Sequence, residues 1–294
     1  MSQLLLPGMP ERDKIVNVAS VPHRSPFRYP GGKTWLVPKI RQWLRSQHNT
    51  PSLLVEPFAG GAIVGLSVAF EGLADHVTLV ELDEQVAAVW QTILEGDAEW
   101  LIGRIGEFDC TLENVVSEME RTPTSTQERA FQTILKNRTY HGGILAAGSA
   151  PLKNGENGKG VASRWYATTI QRRIAAIAAI RDRITFIHGD GMDVMETVAE
   201  RRDVVHFIDP PYTAAGKKAG RRLYNCFELD HERLFDVAEA VEGDVLLTYD
   251  DADGVRDLAA EHGFEIELVA MQNTHHAKMK ELLIGPDLSW VREG

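Results

Sequence analysis

An α/β domain with a mostly parallel sheet, interrupted by a smaller, mainly helical insertion, is the architecture the chain predicts. Three observations predict it. Short apolar runs such as Leu53-Leu54-Val55 and Val204 to Ile208 read as strands buried on both faces. Stretches with apolar residues at helical spacing alternate with them. Between residues 97 and 183 the alternation stops, and it resumes at Ile184.

Residues 1–25 carry Pro7, Pro10 and Pro22 and no sustained period, so a loose arm is expected. A helix is expected over Lys33–Arg45, where Leu36, Val37, Ile40, Trp43 and Leu44 fall at helical spacing. Strand 53–55 leads through a glycine turn into a helix over Ala62–Glu71. Val77–Val80 is a strand and Asp83–Leu94 a helix, with Asp83 as its N-cap. Inside 97–183, helical pieces at Gln127–Lys136 and Thr168–Ile180 surround GGILAAGSAPLKNGENGKG at 142–160, expected as a loop or hairpin without its own core. Strands then follow at Ile184–Ile187, Val204–Ile208, Val245–Thr248, Glu265–Val269 and Glu281–Gly285, with helices at His231–Val241 and Val255–His262. The expected catalytic domain is thus 26–96 plus 184–294, with 97–183 inserted.

A chain of 294 residues buries roughly 75% of its unfolded surface, so no disulfide or metal staple is needed. The two cysteines, Cys110 and Cys226, form neither a CxxC pair nor a zinc spacing and read as reduced thiols. No apolar run approaches the ~20 residues of a membrane span. The start, MSQLLLPGMPERDK, lacks the basic and long apolar regions of a secretory signal, so a cytoplasmic protein is expected. A net charge of -11 argues against a polyanionic partner, but the charge is uneven. From Phe131 to Asp190, nine basic residues face three acidic ones, and from Asp209 to Asn225 four basic residues (Lys217, Lys218, Arg221, Arg222) face Asp209 alone.

Three motifs carry chemistry. Glu56-Pro57-Phe58-Ala59-Gly60-Gly61 follows the first strand, where a glycine turn lets backbone approach a ligand closely, although a plain tight turn reads the same way. It is not a dinucleotide fingerprint, and no Walker lysine follows. Glu81 ends the second strand, where a carboxylate can accept hydrogen bonds from a ribose diol; alone, it would be a surface acid. Asp209-Pro210-Pro211-Tyr212 follows the strand 204–208. An exocyclic ring amine is a poor nucleophile because its lone pair is delocalised. A carboxylate (Asp209) and a fixed backbone carbonyl (Pro210) accepting its two N–H groups would favour attack on a sulfonium methyl. The Tyr212 ring could stack on the base. His275 and His276 are adjacent and on a strand would point to opposite faces, so no metal is expected.

The chain resembles the Dam-type family of adenine-N6 DNA methyltransferases. The resemblance rests on Phe27-Arg28-Tyr29-Pro30-Gly31-Gly32-Lys33, Leu54 to Gly61, Asn137-Arg138-Thr139-Tyr140, Asp209 to Tyr212, and Lys278-Met279-Lys280-Glu281-Leu282-Leu283, in that order. It implies a Rossmann-like methyltransferase domain using S-adenosylmethionine, with a target-recognition insertion, acting as a monomer on double-stranded DNA. Tyr29 and Lys33 would lie by the donor's methionine moiety. Glu56, Phe58 and Gly60 would line the pocket, Glu81 would hold the ribose, and Asp190, itself a candidate helix cap, would bond the adenine amine. Asp209 to Tyr212 would be catalytic. For DNA, the resemblance and the basic stretches suggest Arg138, His141 and Lys153 in the insertion, and Lys217, Lys218, Arg221 and Arg222 after the catalytic turn. TYHGGIL at 139–145 departs from the family text, so no recognition sequence is implied. Two other readings fit the motifs: N6 methylation of RNA, and a catalytically silent module that binds DNA or the donor.

Overall fold

Among the described residues, seven strands form one sheet. They are β1 (Leu53–Glu56), β2 (His76–Glu81), β3 (Ile184–His188), β4 (Val204–Ile208), β5 (Asp244–Asp250), β6 (Glu265–Gln272) and β7 (Lys278–Gly285). Their order is β3-β2-β1-β4-β5-β7-β6. The pairs from β3 to β5 are parallel, and β7 is antiparallel to both β5 and β6. The structure is a computed structural model and describes residues 20–28, 32–211, 229–272 and 278–292.

Strand alternation divides the core into two layers. Leu54, Val205, Phe207, Leu246 and Leu283 belong to one cluster, and Ile208, Val245, Leu247, Leu282 and Ile284 to the other. Helices cover both faces, so β4 is buried along its whole length, as its apolar run requires. On the first face lie α1 (Val37–Ser46), α2 (Ile63–Glu71) and α3 (Glu84–Leu94). Helix α2 is buried continuously from Ile63 to Ala69, because it is apolar on every side. Asp83 caps α3, accepting the N–H groups of Gln85 and Val86, an arrangement worth about 1 kcal/mol. The expected first helix begins as a 3-10 turn, Thr34–Leu36, and becomes α-helical at Val37; Pro38, with no N–H to place, suits that first turn.

The insertion is helical, as expected, but richer than its periodicity suggested. It holds α4 (Ala98–Glu107), α5 (Leu112–Glu120), α6 (Thr126–Thr139) and α7 (Ala167–Ala178). Helices α4 and α5 went unread. Their signals were the caps Asp97 and Thr111, which accept from Trp100 and Asn114. Leu101, Ile105, Val115, Phe131, Ile134, Ile170, Ile174 and Ile177 join the cluster that contains α1 to α3, so the insertion extends the main core. The glycine-rich loop forms short 3-10 turns and one bridge, Tyr140 to Pro151, and sends Leu145, Ala146 and Val161 into the interior.

On the opposite face lie α8 (Gly191–Thr197), α9 (His231–Ala240) and α10 (Asp253–Glu261), and α11 (Ser289–Arg292) closes the described chain. Strands β6 and β7 run longer than their apolar residues indicated, because their pairing continues to Gln272 and Lys278 past the core. No helix among the described residues is long and apolar enough to cross a membrane.

Candidate active site

Strand order reverses between β1 and β4, and ligands of such sheets bind in the crevice beyond the carboxyl ends there. The chain places acids along this edge. Glu56 ends β1, Glu81 ends β2, Asp190 lies two residues past β3, Asp209 follows β4 directly, and Asp250 ends β5. The glycine turn and the Asp-Pro-Pro segment therefore follow neighbouring parallel strands at this carboxyl edge.

Glu81 organises the glycine turn. Its Oε2 accepts from the Gly60 N–H and its Oε1 from the Asp83 N–H, both at 2.8 Å. Gly60 sits at φ +47°, a left-handed conformation that favours glycine. The Trp90 indole donates to the Gly60 carbonyl at 2.9 Å, fixing the turn from below. Burial pushes the Glu81 carboxyl up to about 7, against the pull of the Asp83 and Gly60 N–H groups. Leu82, next in sequence, is 53% exposed, an apolar face at the mouth of the crevice. A side chain at Gly191 would collide with the Pro57 carbonyl, so this glycine lets α8 close on the turn. Phe58 is half-buried and packs on the second cluster.

Glu56 is fully buried, and burial holds its carboxyl well above the usual range. Its Oε2 accepts from the Gly65 N–H at 2.7 Å in the first turn of α2. It supports the turn from inside the core.

Lys33 brings one ammonium into this acidic edge. Its Nζ lies 3.0 Å from Asp209 Oδ1 and 3.4 Å from Glu281 Oε2. Burial alone would lower the Lys33 pKa, but the two carboxylates overcome it and hold the ammonium above its ordinary value. Thr248 on β5 donates its hydroxyl to the same Asp209 Oδ1 at 2.9 Å. Pro210 is buried and Pro211 half-buried, so the backbone after Asp209 is fixed. The arrangement presents an oriented carboxylate and a proline carbonyl at the end of β4. Lys33, expected beside the donor's methionine moiety, stands against the Asp209 carboxylate. Asp190 caps α8, accepting from the Met192 N–H at 2.8 Å. Tyr29, Tyr212, Lys217, Lys218, Arg221, Arg222, His275 and His276 lie outside the described residues. Among the described residues no cluster of metal-binding side chains occurs.

The Asn-Arg pair of the insertion behaves differently from the expectation. The Asn137 side chain accepts from the Arg28 N–H at 2.8 Å and donates to the Arg28 carbonyl at 3.1 Å and the Gly143 carbonyl at 2.8 Å. Arg138 is only 4% exposed and donates to the Pro26 carbonyl. Its guanidinium is spent inside the protein, which corrects its expected place at a base edge. Both residues clasp segment 26–28, just ahead of the Tyr29 motif. His141, on the turn after α6, and Lys153 are exposed.

Around the clasp the charges are mostly of one sign. Burial depresses Arg138 to about 9, and Arg173 and Arg28 depress it further. Arg28 is lowered by burial and then by Arg164, and Arg173 by burial and then by Arg172. Glu156, paired with Arg164 and 3.9 Å from Arg28, offsets part of this charge. Tyr166 beside them is 57% exposed. A group of arginines that repel one another next to an exposed aromatic ring is suited to a polyanion.

Sequence reasoning gave no role to Thr248, Leu82 or Glu281. Thr248 and Leu82 carried no signal beyond position near a strand end. Glu281 did lie in the quoted Lys278 to Leu283 element.

Comparison with known proteins bears on these features. Residues 29–274 match the family model described as D12 class N6 adenine-specific DNA methyltransferase. No curated protein sequence matches the chain. Solved structures with a related fold include an rRNA methyltransferase from Streptomyces viridochromogenes, 14% identical, covering 90% of this chain and 88% of that one at a TM-score of 0.41. A precorrin-6y C5,15-methyltransferase from Geobacter metallireducens is 10% identical and covers 88% of this chain and 91% of its own, at a TM-score of 0.37. These two are likenesses of fold alone. The sheet order, the antiparallel β7 and the helices on both faces make this a Rossmann-like methyltransferase fold. The family model spans well over half of the sequence, and the chain belongs to the D12 class of N6 adenine-specific DNA methyltransferases.

Proposed function

We propose that the protein transfers a methyl group from S-adenosylmethionine to the N6 amine of an adenine swung out of double-stranded DNA. The observation that carries this reading is the oriented Asp209 carboxylate at the end of β4, in the crevice lined by the β1 glycine turn.

The residues present suit the donor. Glu81, buried at the end of β2 with Gly60 folded against it, is an acceptor for ribose hydroxyls, and Leu82 offers an apolar face for a nucleobase. Bound there, S-adenosylmethionine supplies an electrophilic methyl group on a sulfonium. The chain's own part is to prepare the amine. Asp209 and the Pro210 carbonyl accept the two N6 hydrogens, which shifts the nitrogen toward tetrahedral geometry and returns its lone pair. Lys33 and Thr248 hold Asp209 in place, so orientation is set before the base arrives. As the nitrogen gains the methyl group, the donor's methyl–sulfur bond would break and leave its electron pair on sulfur as a neutral thioether; the nitrogen becomes cationic, and the Asp209 carboxylate stabilises that charge and takes up the proton. DNA as the polymer is supported by the family and by the arginines around Arg28, Arg164 and Arg173.

Transfer of a tritiated methyl group from the donor to duplex DNA, against RNA of the same sequence, tests the reading. Label in the duplex alone is expected. Equal or greater label in RNA would overturn the DNA assignment. Donor binding without label in either polymer would favour the silent module.

A further inference from the structure

We propose that Glu281 is a positioning residue for methyl transfer, pinning the Lys33 ammonium against Asp209 from the far side. This rests on the reading of Asp209 given above. The argument begins with topology. Strand β7 runs opposite to β5, so its beginning, not its end, reaches the carboxyl edge of the sheet. The register pairs Glu281 with Asp250 and Leu283 with Thr248. Glu281 shares a strand face with Leu283, which packs in the cluster containing Trp35 and Leu36 beside Lys33. The antiparallel strand thus delivers a carboxylate to the buried Lys33 ammonium.

A carboxylate that is 4% exposed is costly to ionise unless a partner answers it, as expected for buried charges generally. Lys33 answers it at 3.4 Å while lying 3.0 Å from Asp209. Asp209 lies just past β4 and Glu281 on β7, with β5 between these strands. Lys33 therefore ties the two strands together over β5, whose Thr248 donates to the same Asp209 oxygen. Removing the Glu281 charge takes one of these two carboxylates away from Lys33. The Asp209 carboxylate then loses a fixed partner, and errors of about 1 Å in such geometry can cost on the order of 100-fold in rate.

The charged groups facing Glu281 are Lys33 ahead of α1, Asp209 after β4 and Asp250 on β5. Burial raises its carboxyl to about 7, Lys33 pulls it down, and Asp209 and Asp250 push it up. Its ionised, Lys33-holding form therefore grows in as pH passes neutrality. A residue with only a structural role would not give the methyl-transfer rate a matching inflection.

The test uses the full chain with saturating donor and duplex DNA, in single turnovers from pH 6 to 9. Wild type is expected to show a rate that rises through an inflection near 7. Glu281→Gln is expected to lose that inflection and to lower the plateau rate by about 10- to 100-fold. Its affinities for donor and DNA, measured by calorimetry and fluorescence anisotropy, are expected to stay unchanged. Glu281→Asp keeps the charge and is expected to keep the inflection at an intermediate rate, so it decides the matter if the glutamine variant does not fold. A wild-type rate and inflection in Glu281→Gln, or a wild-type rate in Glu281→Asp, would overturn the proposal. An inactive Asp209→Ala beside a fully active Glu281→Gln confines the failure to Glu281; full activity in Asp209→Ala removes the underlying reading.

Discussion

Replacing Asn137 with alanine tests whether the Asn-Arg pair serves the protein's interior. Asn137 is 1% exposed, and its amide makes three hydrogen bonds, two to Arg28 and one to Gly143. Each such bond contributes a net ~1 kcal/mol, and the buried backbone groups left without partners add desolvation cost. A loss of about 3 kcal/mol is expected, which for a chain of this size is a fall of roughly 5 °C in melting temperature. Gly143 stands at φ +75°, and a side chain there would lie 2.6 Å from the Arg28 carbonyl, so these two backbones cannot separate slightly and re-form the contact. The assay is urea unfolding monitored by circular dichroism, paired with calorimetric titration of donor. Asn137→Ala should lose stability and also weaken donor binding, since segment 26–28 leads into the Tyr29 motif. A stability loss under about 1 kcal/mol, the size of a single ordinary bond, would refute the clasp.

Four further tests follow from the same geometry. Glu81→Gln removes one charged acceptor at the proposed ribose position and should weaken donor binding on the order of 10- to 100-fold by calorimetry. Glu81 and Glu281 keep their protons to about 7 when folded, whereas the unfolded chain releases them near 4.5. These two groups should therefore lower the unfolding free energy as pH rises from 4.5 to 7 and change it no further above, by up to about 1.4 kcal/mol per pH unit for each group. His206, held at about 4 by burial against an ordinary 6.5, acts in the opposite sense between those values, so Glu81→Gln against wild type isolates the acid's part in urea titrations at each pH. Gly65→Ala would place its Cβ 2.5 Å from Glu56 Oε2 and 2.6 Å from Leu79 Cδ2. Overpacking of this kind costs about 1–3 kcal/mol, measurable in the same titration, and an unchanged midpoint would contradict it. Arg28→Ala with Arg172→Ala should reduce the slope of log DNA affinity against log salt by about 0.9 for each lost phosphate contact, and an identical slope would exclude them from the interface.

Much of the fold was legible in the sequence because its signals were local. β4 was read at its observed limits since Val204 to Ile208 is apolar throughout and needs cover on both faces. Asp83 was read as a cap because its side chain answers N–H groups two and three residues away. Helices α4 and α5 were missed because their apolar faces are narrow, and Asp97 and Thr111 were the better guide. The positions of Asp209, Glu81 and Gly60 at the strand ends were legible because strand-end acids and glycine turns have fixed places in such sheets. The Lys33–Asp209–Glu281 arrangement was not, since it joins residues from the start, middle and end of the chain through strand order alone. Arg138 was misread for the same reason. A basic residue in a basic stretch looks solvated, whereas Arg138 is buried and donates to the Pro26 carbonyl, a partner distant in sequence.

The most direct measurement is the identity of the methylated nucleoside. Duplex DNA incubated with the enzyme and S-adenosylmethionine, digested and resolved by mass spectrometry, should yield N6-methyldeoxyadenosine. Asp209→Ala should lower its single-turnover rate at least ~100-fold, a loss typical of removing one such acceptor, while still binding the donor. A methyl group on any other atom, or an undiminished rate in Asp209→Ala, would contradict the account.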